Sequence, residues 1–281
     1  MPGDLHTHTT FSDASLKIEK LINLANAEGL EYLAVSDHDT FKSLEYCESI
    51  KNQDGVRLIP SVELTCEDKV RSRQVHILCY YPNKTTELCQ YFEQMQLRRN
   101  AATAKSIKIL KEMYPCFFDE DINRYKKDSG VTFKAHLMRI LMDYGYAKTV
   151  YGDEYKKLFG KGQPCLFNPP YEDVYSMLQM AKNSGGVVVF AHPSVYNSME
   201  LLAQVAKEGL IDGVEIFHPR NKQQDKEEML TLAKKYNLIV TGGTDFHGQN
   251  TSVPVPLGSV TTSNDEIERI INLAKQRKEN N

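Results

Sequence analysis

Two histidines two residues apart, His6 and His8, followed by Asp13, place three potential metal ligands within eight residues. If Asp4 to Thr9 is a strand, residues two apart share a face, so both imidazoles project together while Leu5 and Thr7 point away. Alone, such a pair is a weak signal. The same residue types recur further along, however: His38 between Asp37 and Asp39, Glu63 between Val62 and Leu64, then His76, His192, Asp245 and His247. Six imidazoles and three carboxylates gathered at one place need charge compensation as they leave water, and cations provide it. Mixed nitrogen and oxygen donors without thiolate suit Zn²⁺, Mn²⁺ or Fe²⁺ and argue against an all-oxygen Mg²⁺ or Ca²⁺ site. Nine ligands are too many for one ion and ample for two or three, with Glu63 a candidate bridge. Closely spaced metals hold a hydroxide and clamp phosphoryl oxygens during in-line displacement.

The elements that must position these residues alternate. Leu16 to Leu30 reads as an amphipathic helix, with Leu16, Ile18, Leu21, Ile22 and Ala25 near helical spacing and Gly29 as the stop. Tyr32 to Ser36 reads as a strand running directly into Asp37, His38 and Asp39, and Phe41 to Asn52 as a helix. Val56 to Thr65 is the next strand, carrying Glu63, and Val75 to Tyr81 follows with His76 near its start. After a helical stretch the alternation resumes. Gly186 to Phe190 ends in Ala191, His192 and Pro193; Gly213 to Phe217 ends in His218, Pro219 and Arg220; Leu238 to Thr241 ends in the run containing Asp245 and His247. Helices are expected over Ser198–Lys207, Gln223–Tyr236 and Asp265–Lys278, and a short last strand around Ser259 to Thr262. Repeated strand and helix units predict a parallel sheet with helices outside, and about seven units fit a closed or nearly closed α/β barrel. Barrel active sites lie at the C-terminal ends of the strands, where most of these polar residues fall. His76, at a strand start, is the exception: either that boundary is wrong or the strand runs differently.

The chain has 281 residues, enough for a large core or a core plus a small second domain. Its longest apolar runs, such as Val187 to Ala191, fall far short of the ~20 residues that cross a bilayer. With no charged leader ahead of the ligand cluster, a cytoplasmic protein with no membrane partner is expected. Six cysteines without CxxC spacing predict free, mostly buried thiols. From Leu97 to Met180, a helical stretch punctuated by Pro115, Pro164, Pro169 and Pro170, there are 14 Lys and Arg against 10 Asp and Glu, a net of +4 that leaves −7 for the rest. That divides the chain into a barrel domain, 1–96 and 181–281, and a helical insertion, 97–180. A basic insertion in an acidic frame suits a lid facing an anionic substrate, or merely solvated helix faces.

DLHTHTTFSDAS, VSDHDT, PSVELT, VHILCYY, VVVFAHP and TGGTDFHG together resemble the motif series of the polymerase and histidinol phosphatase (PHP) superfamily of metal-dependent phosphoesterases. The resemblance implies a distorted (β/α)7 barrel of the TIM-like kind with a three-metal site. It implies one ion held by His6, His8, Glu63 and Asp245, a second by Glu63, His76 and His192, and a third by Asp13, His38 and His247. It also favours His76 as a ligand. The stretches FKAHLMRILMDYGYA, KLFGKGQPCLF and DGVEIFHP resemble a bacterial subgroup with a helical insertion, which includes nucleoside 3′,5′-bisphosphate phosphatases and a 5′-to-3′ exoribonuclease. Where that subgroup usually has Arg-Pro-His, this chain has Lys134, Ala135 and His136; Lys keeps the charge but loses the planar fork that grips phosphate.

Lys134, His136, Arg139 and Arg220 are the candidate substrate-binding groups, and His192 or His218 the candidate proton donor to the leaving oxygen. His136 and Arg139 lie three apart on a predicted helix and share a face. Asp37 and Asp39 have strand parity opposite to His38, which makes them supporting or capping groups rather than direct ligands. Arg98 and Arg99 form only an adjacent pair, and Lys105, Lys108 and Lys111 a solvated helix face. The expected reaction is hydrolysis of a phosphoester on a nucleotide or nucleoside bisphosphate by a metal-bound hydroxide. A 5′-3′ exonuclease on short RNA or DNA and a histidinol-phosphate phosphatase are the alternatives. A non-catalytic module is disfavoured, because a degenerate copy should have lost ligands.

Overall fold

The computed structural model of the chain describes residues 2–50 and 55–279. Its strands are β1 (Asp4–Thr7), β2 (Tyr32–Val35), β3 (Arg57–Asp68), β4 (Arg73–Tyr80), the two-residue β5 (Glu172–Asp173), β6 (Val187–Phe190), β7 (Gly213–Phe217) and β8 (Ile239–Gly242). Its helices are α1 (Ile18–Ala27), α2 (Lys42–Ser49), α3 (Thr86–Met113), α4 (Asp119–Lys126), α5 (Lys134–Asp143), α6 (Asp153–Phe159), α7 (Val174–Asn183), α8 (Met199–Lys207), α9 (Gln223–Tyr236) and α10 (Asn264–Glu279). The spacing that predicts α1 is the one that packs it, since Ile18, Leu21, Ile22 and Ala25 are its buried residues. The end expected for α2, Lys51 and Asn52, lies outside the described residues.

Seven strands follow one another in the order β1-β2-β3-β4-β6-β7-β8, and β5 pairs separately with β3. The ends of this path approach each other, with a parallel bridge from Thr7 to Phe246 just beyond β8, so the sheet nearly closes into a barrel. Two apolar faces explain why its strands read as unbroken hydrophobic runs. In β6, Val187 and Val189 join an inner cluster with Leu5, Leu78 and Ile239, while Val188 and Phe190 face an outer cluster lined by helices. Ile267, Ile270 and Ala274 of α10 pack into the inner cluster.

Two expectations are corrected. The sheet is not wholly parallel, because β4 runs antiparallel to both β3 and β6. Its first residues therefore lie at the same end of the barrel as the last residues of its neighbours, which is how a histidine at a strand start reaches the site. The strand expected over Ser259–Thr262 is absent; Thr262 makes only an isolated bridge to Gly3. The cysteines are free, with Cys66, Cys79, Cys116 and Cys165 buried.

The stretch between β4 and β6 has a core of its own, in which Leu110, Phe117, Leu137, Leu141, Leu158 and Phe159 pack together. α3 spans both parts: its Leu88, Tyr91, Phe92 and Met95 belong to the outer barrel cluster and its Leu110 to the insertion core. α7, placed in the insertion by sequence, packs Val174, Met177 and Leu178 into the outer barrel cluster. Lys42 ties the two parts together, donating from Nζ to the carbonyls of Asp128 and Ser129 at 2.7 Å each.

Candidate metal centre

All nine candidate ligands converge at one end of the barrel, each carried there by a strand or the segment that follows it. His6 Nε2, His8 Nε2, Glu63 Oε2 and Asp245 Oδ1 form the tightest group. The two nitrogens are 3.1 Å apart. From Glu63 Oε2 to His6 and His8 the distances are 3.3 and 3.2 Å, and from Asp245 Oδ1 they are 3.5 and 3.2 Å. Donors around a tetrahedral ion at the usual ligand distances are separated by about 3.3–3.6 Å, close to this spacing. Glu63 Oε1 meets His76 Nδ1 at 2.8 Å and His192 Nε2 at 3.0 Å, and Oε2 lies 3.2 Å from His38 Nδ1. Asp13 Oδ1 is 3.3 Å from His247 Nε2 and 4.0 Å from His38 Nε2. Buried polar atoms without a hydrogen-bond partner include His8 Nδ1, Asp13 Oδ1, His38 Nδ1, Glu63 Oε2 and His192 Nδ1. That donor chemistry, orphaned and buried, fits divalent cations.

Electrostatics tell the same story. Burial opposes charge on His8, but Asp245 and Glu63 outweigh it and push its pKa up to about 10. Burial likewise opposes charge on His6, and Glu215, Glu63 and Asp245 raise it well above the usual range. Burial would raise Glu63, yet His76, His6 and His38 hold it well below an ordinary carboxylate. Burial keeps His76 and His192 low. Asp245 and Glu63 favour the protonated form of His8, so an ion entering this cluster competes with that proton, and metal binding should release protons and strengthen as pH rises. Calorimetry of Zn²⁺ binding at pH 7, in buffers of different ionisation enthalpy, should show at least one proton released per protein; buffer-independent heats would contradict this.

Buried carboxylates hold the ligand-bearing loops. Asp37 accepts from Thr9 N at 2.8 Å, Thr9 Oγ1 at 2.6 Å and Ser12 Oγ at 2.6 Å, pinning the turn that carries Asp13. Asp39 accepts from Thr65 N at 2.8 Å. Asp4 accepts from Thr244 N at 3.0 Å, Thr244 Oγ1 at 2.6 Å and Gly258 N at 3.1 Å, beside Asp245. Gly243 lies against β1 so closely that a Cβ there would sit 2.5 Å from the backbone nitrogen and Cβ of His6. Gly243→Ala should therefore displace His6, weakening metal retention by at least about tenfold; unchanged metal content after dialysis would contradict it.

The candidates outside the metal set take varied places. His218 is buried, with Nε2 3.3 Å from Asp245 Oδ2, and its Nδ1 accepts from Arg220 N at 3.1 Å. Arg220 donates to Asp245 Oδ2 at 2.6 Å. His136 is buried; its Nδ1 accepts from Phe133 N at 3.3 Å, its ring stacks on Tyr125, and burial lowers its pKa to about 4. Arg139 donates to Gln249 Oε1 at 2.6 Å on the loop after β8. Lys134 Nζ donates to the neutral Asn168 Oδ1 at 2.6 Å, and burial together with the nearby Arg99 charge lowers its pKa to about 8.

Arg99 and Glu215 were not singled out by sequence. Arg99, expected to be no more than half of an adjacent basic pair, is a part-buried guanidinium donating to Asp39 Oδ2 at 2.5 Å and Thr65 Oγ1 at 2.9 Å, over the Phe133 ring. Neighbours on a helix point about 100° apart, so Arg99 faces the barrel while Arg98 does not. Glu215 lies fully buried in β7. The available signal was the one used for Glu63: a lone carboxylate inside an apolar strand.

A PHP domain model matches residues 4–166. The chain is 31% identical over 257 residues to a phosphoribosyl 1,2-cyclic phosphate 1,2-diphosphodiesterase of Eggerthella lenta, covering 90% of this chain and 97% of that one. It is 28% identical to the 5′-3′ exoribonuclease Rnm of Escherichia coli, over 87% of this chain and 84% of the relative. Its identity to a 3′,5′-nucleoside bisphosphate phosphatase of Chromobacterium violaceum is 22%, over 87% and 86%. A solved structure from Bifidobacterium adolescentis, assigned as a metal-dependent phosphoesterase, superposes with a TM-score of 0.85 at 26% identity, covering 97% of this chain and 98% of that one. With its barrel, its converging donors and these matches in agreement, the chain belongs to the PHP domain family.

Proposed function

We propose that the chain is a metal-dependent phosphoesterase acting on a small ribose phosphate that carries a second phosphate, with nucleoside bisphosphates as the first choice. It is a hydrolase of phosphoester bonds. The observation that carries the substrate reading is a pair of cations next to Phe133, whose ring lies 6.5 Å from that of His38: Arg99, placed over the Phe133 ring, and Lys134, the next residue in the chain, bonded to a neutral amide. A phosphoryl group among the metal ligands leaves Lys134, whose bonded partner is neutral, to receive another phosphate on the same molecule, with Arg99 held behind it by Asp39. Both a 3′,5′-nucleoside bisphosphate and a phosphoribosyl cyclic phosphate carry two phosphates on one ribose, and both appear in the names of relatives.

Two or three divalent ions, Mn²⁺, Fe²⁺ or Zn²⁺, are the cofactors of this reading, held by His6, His8, Glu63 and Asp245, by Glu63, His76 and His192, and by Asp13, His38 and His247. Such ions supply Lewis-acid charge to the phosphoryl oxygens and acidify a coordinated water. The protein's own groups do the rest. Because Arg220 N–H occupies His218 Nδ1, the His218 proton sits on Nε2 at the edge of the cluster, from where it can be given to the leaving oxygen. Arg220 is 55% exposed at its side chain and can turn from Asp245 toward phosphoryl oxygens. His192, with Nε2 against Glu63, fits a ligand better than a proton donor. The lid of this reading is the insertion, which meets the barrel loops through Thr10–Asp128 and Arg139–Gln249. No helix of the described residues is long and apolar enough to cross a membrane.

The test compares kcat/KM in Mn²⁺ for a nucleoside 3′,5′-bisphosphate, the matching 5′-monophosphate, histidinol phosphate and a 5′-phosphorylated oligonucleotide. A preference of about tenfold or more for the bisphosphate over the monophosphate is expected from one charge-assisted phosphate contact. Turnover of the oligonucleotide alone would overturn the substrate choice in favour of an exonuclease.

A further inference from the structure

We propose that Glu215, outside the nine ligand candidates, is a positioning residue that selects which nitrogen of His6 faces the metal and holds the backbone turn that aims His192. The inference rests on the metal centre described above. Glu215 sits on the inward face of β7 between Val214 and Ile216, and all three are fully buried. An ionised carboxylate in such a place is tolerated only with donors on its oxygens. It has one on each: Oε1 accepts from His6 Nδ1 at 2.9 Å, and Oε2 accepts from His192 N at 3.0 Å. The first bond commits the Nδ1 proton of His6, which leaves Nε2 as the atom free to bind an ion. It is Nε2 that lies 3.1 Å from His8 Nε2 and 3.3 Å from Glu63 Oε2.

The second bond acts on the backbone. His192 has φ +27°, a conformation that side-chain-bearing residues avoid, directly after the strand that delivers it. Its amide hydrogen bond to Glu215 holds that turn, and the turn brings His192 Nε2 to 3.0 Å from Glu63 Oε1. Asn221 steadies the carboxylate's own strand, donating from Nδ2 to the carbonyls of Glu215 and Ile216 at 3.0 Å each. The competing role is direct ligation, since donors of His6, His192 and Glu215 lie within 4.8 Å of one another. The occupied oxygens argue against it, because a backbone amide cannot deprotonate to make room for an ion. Glu215→Gln separates the two: a carboxamide has one acceptor oxygen and cannot serve both donors, while its volume is unchanged.

The experiment titrates the full chain, stripped of metal, with Zn²⁺ against a chromophoric chelator, for native protein and Glu215→Gln. Nitrogen-15 histidine spectra of the Zn²⁺-loaded native protein accompany it. Expected are a 10–100-fold loss of affinity in the variant, an unchanged number of ions at saturation, and His6 bound through Nε2 with Nδ1 protonated. Equal affinity in the two proteins would overturn the proposal, as would loss of a whole equivalent at saturation or a His6 bound through Nδ1. If the variant does not fold, the native spectrum decides alone. Native protein that takes up no Zn²⁺ overturns the metal centre itself, a result distinct from native uptake matched by the variant.

Discussion

Glu63→Ala is expected to reduce phosphate release by about a thousandfold or more, the scale on which loss of a single strong electrostatic stabiliser is felt, with greater loss because several donor groups are affected at once. Among the described residues Glu63 is the one carboxylate that touches His6, His8, His38, His76 and His192. On the proposed assignment its removal would take a shared ligand from ions in adjoining groups, and it takes a carboxylate partner from the imidazoles around it. The fold should survive, because Glu63 is not a member of the apolar clusters that pack α1, α7 and α10. Circular dichroism and the melting transition check that point, and inductively coupled plasma analysis reads the loss of bound metal. Near-native turnover in a correctly folded Glu63→Ala protein would remove the bridging role from the account.

Lys134→Ala is expected to raise KM for a nucleoside bisphosphate by about 10–100-fold, the equivalent of one charge-assisted contact, while kcat changes little. In the proposed binding mode the contact would be to the phosphate that does not react, and so would bind ground state and transition state alike. The pH profile sharpens this. Burial and the Arg99 charge bring the Lys134 pKa down to about 8, and only the protonated form attracts phosphate. Affinity for the bisphosphate should therefore be full below pH 8 and decline as pH rises through it. Lys134→Arg stays charged throughout and should remove the decline. A native KM that is flat from pH 7 to 9.5 would place the second phosphate elsewhere.

Much of this was legible in the sequence because each strand carries two kinds of information. Its apolar run marks the barrel wall, and the polar residues at its end mark the mouth, so β2 predicts the place of His38 and β6 that of His192. Strand direction is a different matter. A period-two or continuously apolar pattern reads the same in both directions, and the antiparallel course of β4 left only one trace, a histidine at a strand's beginning. Thr262 failed as a strand because one bridge to Gly3 is all its backbone finds. Arg99 was hidden by its neighbour: a basic pair on a helix looks solvated until the partner surface, here Asp39 and Thr65, is known. Glu215 carries the same signal as Glu63, a lone carboxylate in an apolar strand, but it lies in the middle of β7 rather than at the strand end that marks the mouth. Asp37 and Asp39 act as parity suggested, each supporting loops rather than joining the donor cluster.

The most direct measurement is phosphate release from a nucleoside 3′,5′-bisphosphate by protein stripped with a chelator and then titrated with Mn²⁺. Turnover should be absent in the stripped protein, return with added Mn²⁺, and saturate at two or three ions per chain. Stripped protein that hydrolyses the substrate at the full rate would contradict a metal-dependent mechanism at this site.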